Sequence, residues 1–195
     1  MPTPALLLSL HTQGQGVAFR RLGVRRQAVL LHFRQDVLIS VADCLSKKMA
    51  TSNAVIEEVA RKLGGVTVLG ADVRSQADLA TVVRRRLPLA TLKGLALAGM
   101  SEQEIERFVI PQRTRRHRAE KNQPLTIDES DRAVRLLRIQ SLAEETFGDA
   151  GKANRWLRKE LAELSRETPL AVAQTEAGAR VIETILGKIA WGAAA

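Results

Sequence analysis

Three helix-start signals between Ser101 and Thr126 constrain this chain more than any other feature. Ser101 opens S-E-Q-E and Thr126 opens T-I-D-E, the spacing in which a hydroxyl accepts a backbone N–H three residues on while the glutamate reaches back. Between them stands Pro111, which disfavours helical geometry at Ile110, lacks an N–H and suits the first turn of a helix. The order that follows is a short helix from Ser101 to about Val109, a tight turn, a second short helix, and a long helix from Thr126. In the long helix Leu136, Ile139, Ala143 and Phe147 recur at helical spacing before Gly148 stops it.

The flanking sequence agrees with this pattern. Aromatic residues make up only 3% of the 195 and Tyr is absent, while Leu, Ala, Arg and Glu are abundant, a palette for helices. With 45% apolar residues the chain has ample material for a core, and the fold class expected is all-α. Helices are predicted in NAVIEEVARKL, ADLATVVRRRL and LPLATLKGLALAG, the last with Gly99 at its C′ position. Two more are predicted in KANRWLRKELAEL and AGARVIETILGKI, where Ile182, Ile185 and Ile189 form an apolar stripe. Thr168-Pro169 starts a short turn of helix between them. GGVTVLG, from Gly64 to Gly70, has strand-like residues and reads as a linker or an edge piece.

The net charge of +9 and a pI near 10.6 attract phosphate backbones, acidic proteins or anionic membranes without choosing among them. The one cysteine, Cys44, closes no disulfide within the chain, which points to the cytoplasm. No apolar run approaches the roughly 20 residues of a membrane span, and the start of the chain reads as neither anchor nor signal peptide. Residues 1 to 48 hold two acids, Asp36 and Asp43, and the arginine pairs Arg20-Arg21 and Arg25-Arg26, with no clear period. They read either as a basic DNA-binding or targeting arm or as an extension upstream of the natural start, because Met49 opens an ordinary polar N-terminus.

The segment IPQRTRRHRAEK gathers the basic residues into the second short helix. If it is the reading helix of a helix-turn-helix, entering the major groove by its N-terminal end, Gln112, Arg113, Thr114, Arg115, Arg116, Arg118 and Lys121 are the DNA-binding candidates. Arginine suits both tasks, gripping guanine O6/N7 or a phosphate with its fork. The plainer reading is a solvated basic face, although five cations against the lone acid Glu120 repel one another without an anionic partner. His117 within the cluster reads as a surface hydrogen-bonding group. No phosphate-binding glycine loop, nucleophile elbow or paired-histidine metal motif is present, so no catalytic or metal residue is assigned and no cofactor is expected. Asp128, Glu129 and Asp131 are explained by favourable charge at a helix N-terminus.

VIPQRTRRHR, LTIDESDRAVRLLRI, FGDAGKANRWL and TEAGARVIETILGKI together resemble the Xre/MbcA/ParS antitoxins over roughly Asp78 to Gly192. The resemblance implies an Xre-like helix-turn-helix and dimerisation region at 78–140 followed by a small helical toxin-binding domain at 141–195. Residues 49–77 are then an N-terminal helix and linker, and 1–48 a poorly defined extension. It further implies a partner toxin of the RES-domain type, whose family attacks or uses NAD, operator DNA as a second partner, autorepression, and a homodimer. On this reading Ile182, Ile185 and Ile189 face inward, leaving Arg180, Glu183 and Lys188 for the toxin. Trp191, Gly192 and the three terminal alanines make a small, nearly uncharged tail that suits a narrow nucleotide pocket.

Two departures from the family pattern stand out. RKELAELSRE replaces a Pro-Asn turn and a glycine-rich stretch, and Trp191 replaces a histidine. Trp191 is read either as packed on its own domain or as an interface anchor. The rival to the antitoxin reading is a DNA-binding transcription regulator whose C-terminal domain only dimerises or senses a ligand.

Overall fold

Every regular element is a helix in the computed structural model, which describes residues 53–192. The expectations for residues 1 to 48 and for the three terminal alanines lie outside the described residues. The elements are α1 (53–62), α2 (Gly65–Leu69), α3 (Gln76–Arg84), a 3-10 turn (Leu89–Thr91) leading into α4 (Leu92–Leu97), α5 (Glu102–Phe108) and α6 (Gln112–Glu120). Then come α7 (Ile127–Phe147), α8 (Ala150–Arg158), a second 3-10 turn (Ala162–Leu164), α9 (Pro169–Val172) and α10 (Glu176–Ala190).

The capping residues set these boundaries. Ser101 and Thr126 both form full capping boxes, with Glu104 and Glu129 respectively, and α3 has a third from Ser75 to Asp78. Gly99 stands at φ 92° just past α4, where its N–H bonds to Ala96 O and that of Met100 to Leu95 O, a complete Schellman turn. Gly148, at φ 62°, ends α7.

At the centre lies α7, 21 residues and about 31 Å long. Ala133, Val134, Leu136, Leu137, Ile139 and Ala143 are all buried, so it is apolar on most sides rather than along one stripe, as a central helix must be. Helices α3, α4, α8 and α10 pack around it. The expected domain boundary near residue 140 falls inside α7, so the helix-turn-helix region and the C-terminal helices share one helix and have no linker between them. α1 also belongs to the core. Val55, Ile56, Val59 and Leu63 are buried, and the Lys62 ammonium meets Glu144 of α7 at 2.6 Å. A Cβ on Gly94 of α4 would come within 1.8 Å of the Lys62 carbonyl, which shows how closely α1 and α4 approach.

The structure corrects three details of the sequence reading. GGVTVLG contains the short helix α2, set between the left-handed glycines Gly64 and Gly70. No strand lies among the described residues to pair with it, so its backbone is satisfied locally, with Gly70 N–H on Val66 O at 2.8 Å. The helix begun at Ala150 stops at Arg158 instead of running to Leu164. Leu161 and Leu164 continue its apolar spacing, but Leu161 is held by Arg166 N–H and Glu167 O in a closed loop with Ser165 and Arg166 in left-handed backbone, at φ 55° and 65°. On α10 the fully buried face is Ala179, Ile182 and Leu186, whereas Ile185 and Ile189 are only half-buried. The period is 3.6, and a stripe drawn through isoleucines alone drifts off the true face.

Candidate nucleic-acid interface and partner-binding face

Helix α5 is the half of the helix pair that packs into the core, and α6 is the basic half. Ile105, Phe108, Val109 and Ile110 are buried, and the Ile110 N–H returns to Ile105 O at 3.1 Å, which tightens the turn into Pro111. Pro111 is the N-cap of α6, one position earlier than the sequence suggests. α6 itself buries no residue, and polar contacts hold it in place. At its N-terminal end the Gln112 N–H approaches Glu106 at 3.4 Å and the Arg115 guanidinium meets Glu102 at 2.7 Å. At the far end Arg118 pairs with Glu129, the capping glutamate of α7, with both side chains largely shielded from water.

The seven DNA-binding candidates therefore fall into two groups. Gln112, Arg113, Arg116 and Lys121 are exposed, and Thr114 is half-exposed beside them. Arg113, Arg116 and Lys121 have no ion-pair partner among the described residues. Arg115 and Arg118 are engaged by Glu102 and Glu129, so they anchor α6 before any partner arrives. His117 is exposed, and no cluster able to hold a metal ion occurs among the described residues.

Both capping glutamates have depressed pKa values. Burial alone would raise Glu104, but Arg158 and the Ser101 N–H outweigh it; burial would likewise raise Glu129, and the Thr126 N–H with Arg118 outweighs it. Arg158 is a residue the sequence reading missed. It reaches from the end of α8 to Glu104 and to the Gly99 carbonyl, each at 2.8 Å, and so ties the C-terminal helices to the helix-turn-helix. Its local bonds, to Asn154 four residues back, do not mark this role, since the partners that make the bridge lie 54 and 59 positions away.

The C-terminal candidates sit on α10 and at its end. Arg180 and Lys188 are exposed, whereas Glu183 is paired with Arg138 of α7 at 2.8 Å. Arg135, almost wholly buried, bonds to Asp131 and to the Gln174 carbonyl, so two arginines of α7 seat the start of α10. Trp191 caps α10 and is 68% exposed, and Gly192 follows at φ 68°. Among the described residues the tryptophan with an aromatic partner is Trp156, against Phe147 at 5.6 Å between ring centres. Among the described residues no helix is long and apolar enough to cross a membrane.

Comparison with known proteins matches this division of the chain. The antitoxin Xre-like helix-turn-helix domain matches residues 78–138, and the antitoxin Xre/MbcA/ParS C-terminal toxin-binding domain matches residues 142–192. The antitoxin Xre of Pseudomonas putida is 46% identical over 84 residues, covering 43% of this chain and 53% of that protein. The antitoxin Xre of Photorhabdus laumondii is 35% identical over 68 residues, covering 34% and 46%, and that of Yersinia enterocolitica 31% over 84 residues, covering 43% and 57%. The chain thus spans about half the length of these curated relatives. With both domains in their order on one shared helix, this chain belongs to the Xre/MbcA/ParS antitoxin family.

Proposed function

We propose that this chain is the antitoxin of a type II toxin-antitoxin pair: its C-terminal helices neutralise a RES-type, NAD-targeting toxin by direct binding, and α5 and α6 bind operator DNA to repress the pair's own operon. The observation that carries the reading is the joining of a toxin-binding domain to a helix-turn-helix whose second helix displays Arg113, Arg116 and Lys121 without acidic partners among the described residues. Exposed, unpaired cations are what a phosphate backbone requires. A homodimer fits the reading, because operator half-sites are met by two-fold symmetric proteins. The exposed Trp191 at the end of α10 is the anchor on the toxin side, with Lys188 and Gly192 beside it and Arg180 further back along the helix.

The test is co-expression with the neighbouring gene. A RES-type product should arrest growth alone, copurify with this chain and be silenced by it. Replacing Arg113, Arg115 and Arg116 with Ala should abolish operator binding and spare neutralisation, whereas deleting residues 190 to 195 should do the reverse. A neighbour that is harmless alone, or that fails to copurify, would leave the plain transcription regulator as the better reading.

A further inference from the structure

A second basic cluster lies outside the helix pair. α3 ends in Arg84, Arg85 and Arg86, all exposed, and none of them is ion-paired among the described residues. The helix dipole favours a cation at a C-terminus, but it does not call for three adjacent ones that repel each other. Arg86 stands at φ 68°, in the C′ position that Gly or Asn ordinarily takes, with its N–H on Val83 O at 3.0 Å.

The turn is also held rigidly. The Leu87 N–H, instead of closing onto α3, donates to Ser130 Oγ of α7 at 3.0 Å, and the Leu87 carbonyl accepts the Leu125 N–H at 2.9 Å. Leu87 and Leu125 are both fully buried. Leu125 closes the loop that leaves α6, and that loop has the same form: Asn122 is left-handed at φ 49°, and Lys121, Asn122 and Gln123 are exposed. Two tight turns, one carrying three arginines and the other following the reading helix, are thus joined by a backbone hydrogen bond.

In a helix-turn-helix variant such as the homeodomain, the C-terminal end of the reading helix and a neighbouring loop lie on the DNA backbone while the rest of that helix enters the groove. We propose that Arg84, Arg85 and Arg86 form a phosphate clamp that grips the DNA backbone beside the groove α6 enters. The proposal rests on the operator reading and extends it to residues outside the helix pair. Arginine forks match phosphate oxygens, and such contacts supply affinity and register without reading sequence.

The experiment compares the full chain with an Arg84→Gln, Arg85→Gln, Arg86→Gln variant on two duplexes, one from immediately upstream of the chain's own coding region and one shuffled duplex of equal length. Losing two or three phosphate contacts should weaken binding to both duplexes by the same factor. It should also shrink the fall in affinity between 50 and 200 mM salt by about 10- to 40-fold. The preference for the upstream duplex should survive, whereas Arg113→Ala with Arg116→Ala should remove it. Arg86→Gly, which relieves the backbone, should raise the Tm and still lower affinity, an opposition that a purely structural role does not produce. Unchanged affinity and salt dependence in the triple variant would overturn the clamp alone. Loss of binding to the co-expressed neighbour with DNA binding intact would assign the cluster to a protein partner and overturn it too. If the unaltered chain binds neither duplex, the operator reading fails and the clamp with it.

Discussion

Glu129→Ala is the most informative single perturbation of the helix-turn-helix half. The Glu129 carboxylate accepts the Thr126 N–H at 2.7 Å, completing the cap of α7, and pairs with Arg118, which anchors the far end of α6. Losing the cap contact costs about 1 kcal/mol. Arg118 is then left without its anion at a site where its side chain is only 16% exposed. A fully buried pair broken in this way costs 3–5 kcal/mol, but Arg118 swings toward water, so about 1–2 kcal/mol is the appropriate share. The sum is about 2–3 kcal/mol, a fall in Tm of roughly 5–10 °C for a domain of this size. Urea denaturation followed by circular dichroism measures it, and Arg118→Met in the Glu129→Ala background should recover part of the loss by removing the stranded cation. DNA affinity supplies the sharper check. Removing an acid beside the proposed DNA-binding surface should raise affinity by charge alone, whereas releasing a helix with no buried residue of its own should lower it. A stability change below about 0.5 kcal/mol, within the range of ordinary surface substitutions, or a rise in DNA affinity, would refute the anchoring role.

Gly94→Ala should destabilise by about 2 kcal/mol or more, because its Cβ would lie 1.8 Å from the Lys62 carbonyl and α1 must shift; a Tm within a degree of the parent would show that α1 does not dock there. Acid should weaken the fold from the ordinary glutamate value of 4.5 downward, because Glu104 and Glu129 are depressed and their stabilisation, full at neutral pH, is lost as they protonate. Glu145, raised by burial, runs the other way and offsets part of this loss; a pH titration of thermal stability that stays flat from 6 to 3 contradicts the assignment. Ser165→Gly and Arg166→Gly should each stabilise by about 0.5–1 kcal/mol by relieving the left-handed pair at φ 55° and 65°, with destabilisation in chemical denaturation as the refuting result.

Local chemistry makes much of this fold legible in the sequence. The capping boxes at Ser101 and Thr126, Gly99 after α4, Pro111 between α5 and α6 and Gly148 after α7 act within a few residues of themselves, and each boundary stands within a position of where they put it. The concentration of arginine on α6 is equally local. Tertiary structure decided which of those arginines are free. Arg115 and Arg118 look like Arg113 and Arg116 in sequence, yet Glu102 and Glu129 approach only because α6 folds back on α5 and α7. The same holds for Glu183, taken by Arg138, for Arg158, which bridges to Glu104, and for the turn at Arg84–Arg86, set beside the end of α6 by a bond between residues 87 and 125. Caps and helical periods are short-range properties that a chain writes into adjacent residues, whereas ion pairing depends on distances across the fold, which spacing along the chain does not encode.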